Sequence, residues 1–282
     1  MAATPLTLHT LTLGAERLVY ATCGSPAAPP LLLVHGWMGA MGDWRLLLPT
    51  LAETHFCILP DLLGHGDSDK SADGDYSIAA QARRVLAVAD DVGATQFALC
   101  GHSMGGMIAL TLAAKLALAR VTRVVNLAGI AHLRSPFLRG GVWLMRRAGF
   151  LLTAGFRIAR RLARRRWGAW LLTAGIFHNW PRPEGYIETN LRYAIQPGME
   201  IAFERGLAAV LAMELLPHLA DVHCPVLTVF GRQDRLVSPQ QGPWVAARVR
   251  NHRLHWIERC GHYLMLENPQ ECLAVIQPFL AE

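Results

Sequence analysis

Between Asp91 and Glu184 the chain carries no acidic residue. The same interval holds thirteen arginines and Lys115, so it is +14, while the whole chain is only +6 and the remainder nets −8. That absence rules out an evenly mixed surface charge. It marks one segment either as a solvated basic face or as a surface for something anionic. Long apolar runs are also missing: none reaches the roughly 18 residues needed to span a bilayer. The opening stretch MAATPLTLHTLTLGAERL lacks a basic start followed by an apolar block, so no signal peptide is expected. The six cysteines (Cys23, Cys57, Cys100, Cys224, Cys260, Cys272) show no C-x-x-C spacing. Reduced thiols in a cytosolic protein, several of them buried in strands, are the expectation. The twelve histidines form no zinc-type cluster, and His252 and His255, three apart in a predicted strand, fall on opposite faces. No metal or organic cofactor is expected.

What is present is a chain of 282 residues, half of them apolar, enough to bury one large α/β core. Thr4 to Leu13 and Arg17 to Thr22 predict an opening antiparallel hairpin. Leu31 to Val34 and Phe56 to Pro60 are short apolar runs of the buried-strand type. Asp43 is placed to cap a helix running toward Leu51, and Ser77 to cap one from Ile78 to about Val92. Gln96 to Cys100, Arg123 to Leu127, Pro225 to Phe230 and Arg253 to Ile257 predict further strands. Helices are predicted near Trp244 to Val249 and from Pro269 to Leu280, with Asn268 as N-cap. Strand and helix thus alternate, which predicts a mostly parallel sheet covered on both faces. The alternation stops at about Ala131 and resumes near Leu216. That block is helical in pattern, broken by glycines and by Pro181 and Pro183, and reads as an insertion at about 131–216 into one domain spanning 1–282.

The most informative stretch is QFALCGHSMGGMIALTLAA at 96–114. An apolar strand runs into a glycine-rich turn and then a helix, with Ser103 at the turn. Gly101 and Gly105 flank Ser103 at minus and plus two, the G-x-S-x-G spacing. A nucleophile on so sharp a turn is strained, and side chains at the flanking positions would collide. The helix that follows aims N–H groups at the reacting centre, and the N–H of Met104 would be one donor to a developing oxyanion. A serine hydroxyl also needs a base, and the base needs an orienting carboxylate. Asp234, in FGRQDRLV, follows one predicted strand; His262, in CGHYLMLENP, follows the next. Both therefore fall at the same sheet edge as Ser103. His35-Gly36-Trp37 follows the strand at 31–34, where the Trp37 N–H would be a second oxyanion donor.

These stretches together, LLLVHGW at 31–37, DLLGHGDS at 61–68, GHSMGG at 101–106, GRQD at 231–234 and GHYLMLENP at 261–269, resemble the α/β-hydrolase superfamily over nearly the whole chain. The resemblance implies the α/β-hydrolase fold, a mostly parallel central sheet with helices on both faces and an inserted helical cap. It implies Ser103 as nucleophile, Asp234 as acid, His262 as base, and Trp37 and Met104 as oxyanion donors. Asp61 and Ser68 match a segment that is usually structural. His102 would point away from the Ser103 hydroxyl. Relatives that open epoxides or remove halide carry Asp at the nucleophile position, so those substrates are disfavoured. Hydrolysis of a carboxylic ester with an apolar acyl part is expected. Thioester or carrier-protein ester hydrolysis, carbon–carbon cleavage, a lyase-type reaction and a receptor on the same fold remain alternatives.

The insertion completes the reading. Arg157, Arg160, Arg161, Arg164 and Arg165 share one face of a predicted helix, with Leu151, Ile158 and Leu162 on the other. Trp143, Phe150, Trp167, Trp170 and Phe177 lie nearby. This is an Arg-rich amphipathic pattern of interfacial type. An anionic membrane or an acidic carrier protein fits it as partner, giving a cytoplasmic or membrane-peripheral location; no recognition motif points to nucleic acid.

Overall fold

In a computed structural model, eight strands among the described residues form one sheet. The structure describes residues 5–133, 149–163 and 195–282, together with 140, 143, 144, 147, 165, 167, 168, 171, 176–178 and 193. The strands are β1 (Thr7–Leu13), β2 (Glu16–Cys23), β3 (Pro30–Val34), β4 (Phe56–Pro60), β5 (Phe97–His102), β6 (Val121–Leu127), β7 (Val226–Gly231) and β8 (His252–Ile257). Their order is β1-β2-β4-β3-β5-β6-β7-β8. The predicted hairpin is present, closed through Gly14 at φ +62°, where glycine carries no steric cost. It joins the sheet through β2, which pairs antiparallel with β4 from Tyr20↔Pro60 to Cys23↔Cys57. Every pairing from β4 to β8 is parallel. β5 and β7 are buried along their whole length, as a sheet covered on both faces requires. β8, at the sheet edge, is only half-buried. There His252 bonds Thr228 at 2.9 Å while His255 faces Glu271 at 3.6 Å, on opposite faces as its alternation demands.

Among the described residues the α-helices are α1 (Leu48–Leu51), α2 (Ile78–Asp91), α3 (Met104–Thr111), α4 (Gly149–Ala163), α5 (Met199–Ala212), α6 (Gln241–Ala246), α7 (Leu264–Glu267) and α8 (Pro269–Ala281). Ser77 caps α2, its hydroxyl accepting the Ala80 N–H at 3.2 Å. Asp43 is not the cap the sequence suggested. It lies inside a 3-10 turn, Met41–Trp44, fully buried, and accepts the Ala40 N–H at 3.4 Å. α1 begins only at Leu48, with Pro49 in its first turn. Asn268 holds the N-cap position of α8, but its amide donates to Glu271 at 2.9 Å and caps no backbone N–H. α6 starts at Gln241, three residues before the predicted helix. Gln241 is fixed there because its buried amide accepts from Ala131 and His132 and donates to the His132 carbonyl.

The basic interval shows a second difference. α4 buries Phe156 and leaves Ile158 56 % exposed beside exposed Arg157 and Arg161. Arg160 turns inward, half-buried, to within 4.0 Å of Glu200 on α5. The packed side is therefore centred on Phe156, not on Ile158, because α5 and its Phe203 approach from that side; the two rings lie 5.2 Å apart. Arg164, Trp170, Pro181 and Pro183 lie outside the described residues, as do the side chains of Phe150 and Leu151. Among the described residues no helix is long and apolar enough to cross a membrane.

The core also encloses ionisable side chains. His35, His65 and His102 are almost wholly buried. Burial lowers the His35 imidazole from 6.5 to about 3 and that of His65 to about 4, and holds His102 well below its ordinary value. Each lowered group stabilises the fold fully above the unfolded pKa of 6.5, and that stability is lost as pH falls toward the folded value. Each imidazole thus contributes a slope of up to about 1.4 kcal/mol per pH unit. Asp43 and Asp61, raised by burial to about 7 and about 6, act in the opposite sense in the same window. The test is therefore a difference: in urea unfolding, His65→Gln should shallow the slope of stability between pH 6.5 and 4 by about one proton relative to the parent. An unchanged slope in that variant would show that the His65 ring is not held neutral.

Candidate active site

Ser103 sits on the turn between β5 and α3, with φ +53° and ψ −115°. Among the described residues, the non-glycine positions at positive φ are Met38, Ser103, Ala128 and Arg259. All four follow the carboxyl ends of parallel strands, β3, β5, β6 and β8. Backbone strain is thus gathered at one sheet edge, where functional sites concentrate it. The flanking glycines are required. A Cβ on Gly101 would lie 2.2 Å from the Gly105 carbonyl oxygen, and one on Gly105 would lie 2.1 Å from that of Val34. The sequence argument foresaw the first collision. The second comes from β3, which the turn touches only in the folded sheet.

Asp234 and His262 reach the same edge from the loops after β7 and β8. His262 Nδ1 donates to Asp234 Oδ2 at 2.7 Å, with both side chains buried. The other oxygen of Asp234 accepts the N–H groups of Leu236 and Val237, each at 2.9 Å, so the carboxylate is fixed on both sides. With Nδ1 engaged, His262 Nε2 is the nitrogen left for a substrate or a hydroxyl. His102 ties this pair to the serine turn. Its Nε2 donates to the carbonyl of His262 at 2.9 Å, and its ring packs 4.8 Å from that of His262. His102 therefore faces the His262 backbone, consistent with its exclusion as a base.

The β3 loop closes the other side. A Cβ on Gly36 would come within 3.1 Å of the Ser103 Cβ, so the segment before Trp37 lies against the turn. The Trp37 side chain packs against α5, its Nε1 donating to the Ala202 carbonyl at 3.3 Å and its ring 4.7 Å from Phe203. Among the described residues the backbone N–H groups of Trp37 and Met104 make no hydrogen bond. Buried side chains hold the loop. His35 Nε2 accepts the Leu62 N–H at 3.0 Å while Nδ1 donates to the Gly36 carbonyl at 2.7 Å. Asp61 accepts the N–H groups of Met41 and Asp67 and Ser68 donates to the Asp61 carbonyl, a structural role for that segment. Burial raises Asp43 to about 7 and Asp61 to about 6. All five residues expected from the sequence thus lie around one sheet edge.

Sequence reasoning missed three supports: Gln241, Asp43 and Glu267. Glu267, within GHYLMLENP, accepts the Gly261 N–H at 3.0 Å through one oxygen and the His178 N–H at 2.8 Å through the other. The His262 N–H donates to the Ile176 carbonyl at 3.2 Å, and Phe177 packs 5.5 Å from Tyr263. The segment 176–178 is thereby fastened to the His262 loop. The signal for Glu267 was only its position five residues after His262. Among the described residues no group of side chains could hold a metal ion.

A strained serine turn, a buried Asp–His pair and a mostly parallel eight-stranded sheet define a class. The chain belongs to the α/β-hydrolase fold family, whose model matches residues 29–269. Among its relatives, the 2-hydroxymuconate semialdehyde hydrolase of Pseudomonas sp. (strain CF600) is 30% identical over 92% of this chain and 89% of its own. The pimeloyl-[acyl-carrier protein] methyl ester esterase of Aeromonas hydrophila is 28% identical over 89% of this chain and 95% of its own. The crystal structure of a membrane phospholipase A, a bacterial virulence factor, superposes with a TM-score of 0.79 at 26% identity, covering 98% of this chain and 86% of that one.

Glu267 yields a test of how the site is held. Glu267→Gln leaves one of the two N–H groups without its charged acceptor, which costs about 1–3 kcal/mol. The unfolding midpoint in urea should fall accordingly. Turnover should drop about ten- to a hundredfold through displacement of His262. Unchanged turnover in a folded variant would show that the His262 loop holds its position without this carboxylate.

Proposed function

We propose that this hydrolase cleaves carboxylic esters with an apolar acyl part. The observation that carries the reading is the buried 2.7 Å Asp234–His262 hydrogen bond beside the strained Ser103 turn. In this reading Ser103 Oγ attacks the ester carbonyl and passes its proton to His262 Nε2. Asp234 stabilises the imidazolium and fixes its tautomer. The N–H groups of Trp37 and Met104 receive the oxyanion. His262 returns the proton to the departing alcohol, leaving an acyl group on Ser103. Water, deprotonated by His262, then releases the acid. Residues 131–216 act as a cap. Its support is that Phe203, Ala202 and Ile176 to His178 touch the loops carrying Trp37 and His262. The aromatic rings of Trp37, Phe203, Phe177 and Tyr263 favour an apolar acyl chain.

A second reading, carbon–carbon bond hydrolysis, is favoured by the 2-hydroxymuconate semialdehyde hydrolase relative. It uses the same three residues on a different substrate. Chromogenic esters of graded chain length, assayed beside a ring-fission dienoate, separate the two. Efficient turnover of medium or long esters supports the first reading, and turnover of the dienoate alone supports the second.

Ser103→Ala should reduce turnover by about three to six orders of magnitude with the fold intact. Asp234→Asn should also lose orders of magnitude, by favouring the wrong imidazole tautomer. A serine-directed phosphonate should label Ser103 alone. Full activity in either variant would end the assignment of these roles.

A further inference from the structure

The described part of the basic interval exposes large apolar side chains among its arginines. Trp143 is 59 % exposed, Leu144 57 %, Ile158 56 % and Trp167 61 %. On α4, Arg157, Ile158 and Arg161 face outward together, while Phe156 packs inward on Phe203. Arg165 is exposed just beyond α4, and the Arg147 guanidinium lies 4.9 Å above the Trp143 ring. From residue 92 to 183 the sequence holds no carboxylate, and the contact of α4 with Glu200 is made by half-buried Arg160, not by the outward arginines.

We infer that the exposed arginines and apolar side chains of this interval dock on an anionic lipid bilayer. A merely solvated basic face needs arginines but gains nothing from two exposed tryptophans and an isoleucine. At a bilayer interface each has a place. Indole rings sit at the headgroup level, Ile158 and Leu144 enter the acyl boundary, and the arginines meet lipid phosphates. Arginine suits that contact because its planar guanidinium bonds phosphate oxygens bidentately and stays charged at any physiological pH. The aromatic contacts also set the direction. Phe156 touches Phe203 and Phe203 touches Trp37, so the lipid-facing helix connects by two ring contacts to the loop beside Ser103. Docking therefore brings the lipid surface to the face that covers the candidate site. The inference concerns the surface and does not depend on which bond the site cleaves.

The test uses the full chain carrying Ser103→Ala, so that no lipid is consumed. Co-sedimentation is measured with phosphatidylcholine vesicles and with vesicles holding a third phosphatidylglycerol. Binding should be strong to the anionic vesicles and weak to the neutral ones. It should fall as salt rises from 0.1 to 1 M, where the Debye length shrinks from roughly 10 to 3 Å. The triple change Arg157→Gln, Arg161→Gln, Arg165→Gln should weaken binding about a hundredfold, since each arginine near the surface contributes about a factor of five. Trp143→Ser with Trp167→Ser should weaken binding at high salt as well as low. All these side chains are exposed, so circular dichroism and thermal unfolding should match the parent. Equal binding to both vesicle types, or to neither, would overturn the inference. So would a folded triple variant that binds normally. Capture of an acidic acyl carrier protein without vesicle binding would assign the face to a protein partner instead.

Discussion

The structure depends on one steric constraint: a serine held at positive φ between a buried strand and a helix. L-residues avoid that conformation, so the surroundings must impose it. Here β3 and β5 lie side by side, and the turn leaves no room for a Cβ at Gly101 or Gly105. The Ser103 N–H is bonded to the Leu127 carbonyl of β6 at 2.9 Å, and its carbonyl accepts from Gly106 at 3.0 Å. Three strands and a helix therefore fix one residue. The strain is maintained by the rigidity of the sheet and not by the turn itself.

That rigidity extends outward through buried polar groups. His102, the last residue of β5, bonds the His262 backbone; His35 bonds the Leu62 N–H on the other flank. Both are neutral because burial disfavours the charged ring, and a neutral imidazole supplies one donor and one acceptor. His35 uses both. His102 uses its donor on the very loop that carries His262. Asp43 and Asp61 act likewise on the β3 loop, accepting N–H groups at the points where the chain turns. The candidate reacting groups at this edge are few, and the side chains that locate them are more numerous.

Much of this was legible in the sequence. The strands were, because a strand buried on both faces is a short apolar run between turn residues. The positions of Ser103, Asp234 and His262 were, because each follows such a run and parallel strands bring their carboxyl ends to one edge. Asp43 was misread because an acid ahead of a helical pattern resembles a cap, and only burial reveals its other partner. Ile158 was misplaced because helical periodicity orders residues around an axis without stating which neighbour arrives. Phe203, forty-seven positions beyond Phe156, decides which face of α4 is buried. Glu267 and Gln241 were invisible because each bonds backbone groups distant in sequence, and nothing in a sequence pattern marks a backbone N–H that needs an acceptor.

The β6–β7 interval joins these points into one physical picture. Its described residues touch the sheet domain at three loops: after β3 through Trp37, after β4 through Tyr193 to Asp67 at 3.3 Å, and after β8 through Ile176 and His178. The first and third of these loops lie against the Ser103 turn, through Gly36 and through the His102–His262 contact. A segment fastened to the backbone of the His262 loop cannot shift without pulling on that loop. The Glu267 carboxylate makes the coupling direct, since one oxygen holds the loop and the other holds the segment. The inner face of α4 reaches the Trp37 loop through Phe156 and Phe203, so a partner on its outer face would act on that loop. Packed rings join α4 to the Trp37 loop, and a shared carboxylate joins residues 176–178 to the His262 loop.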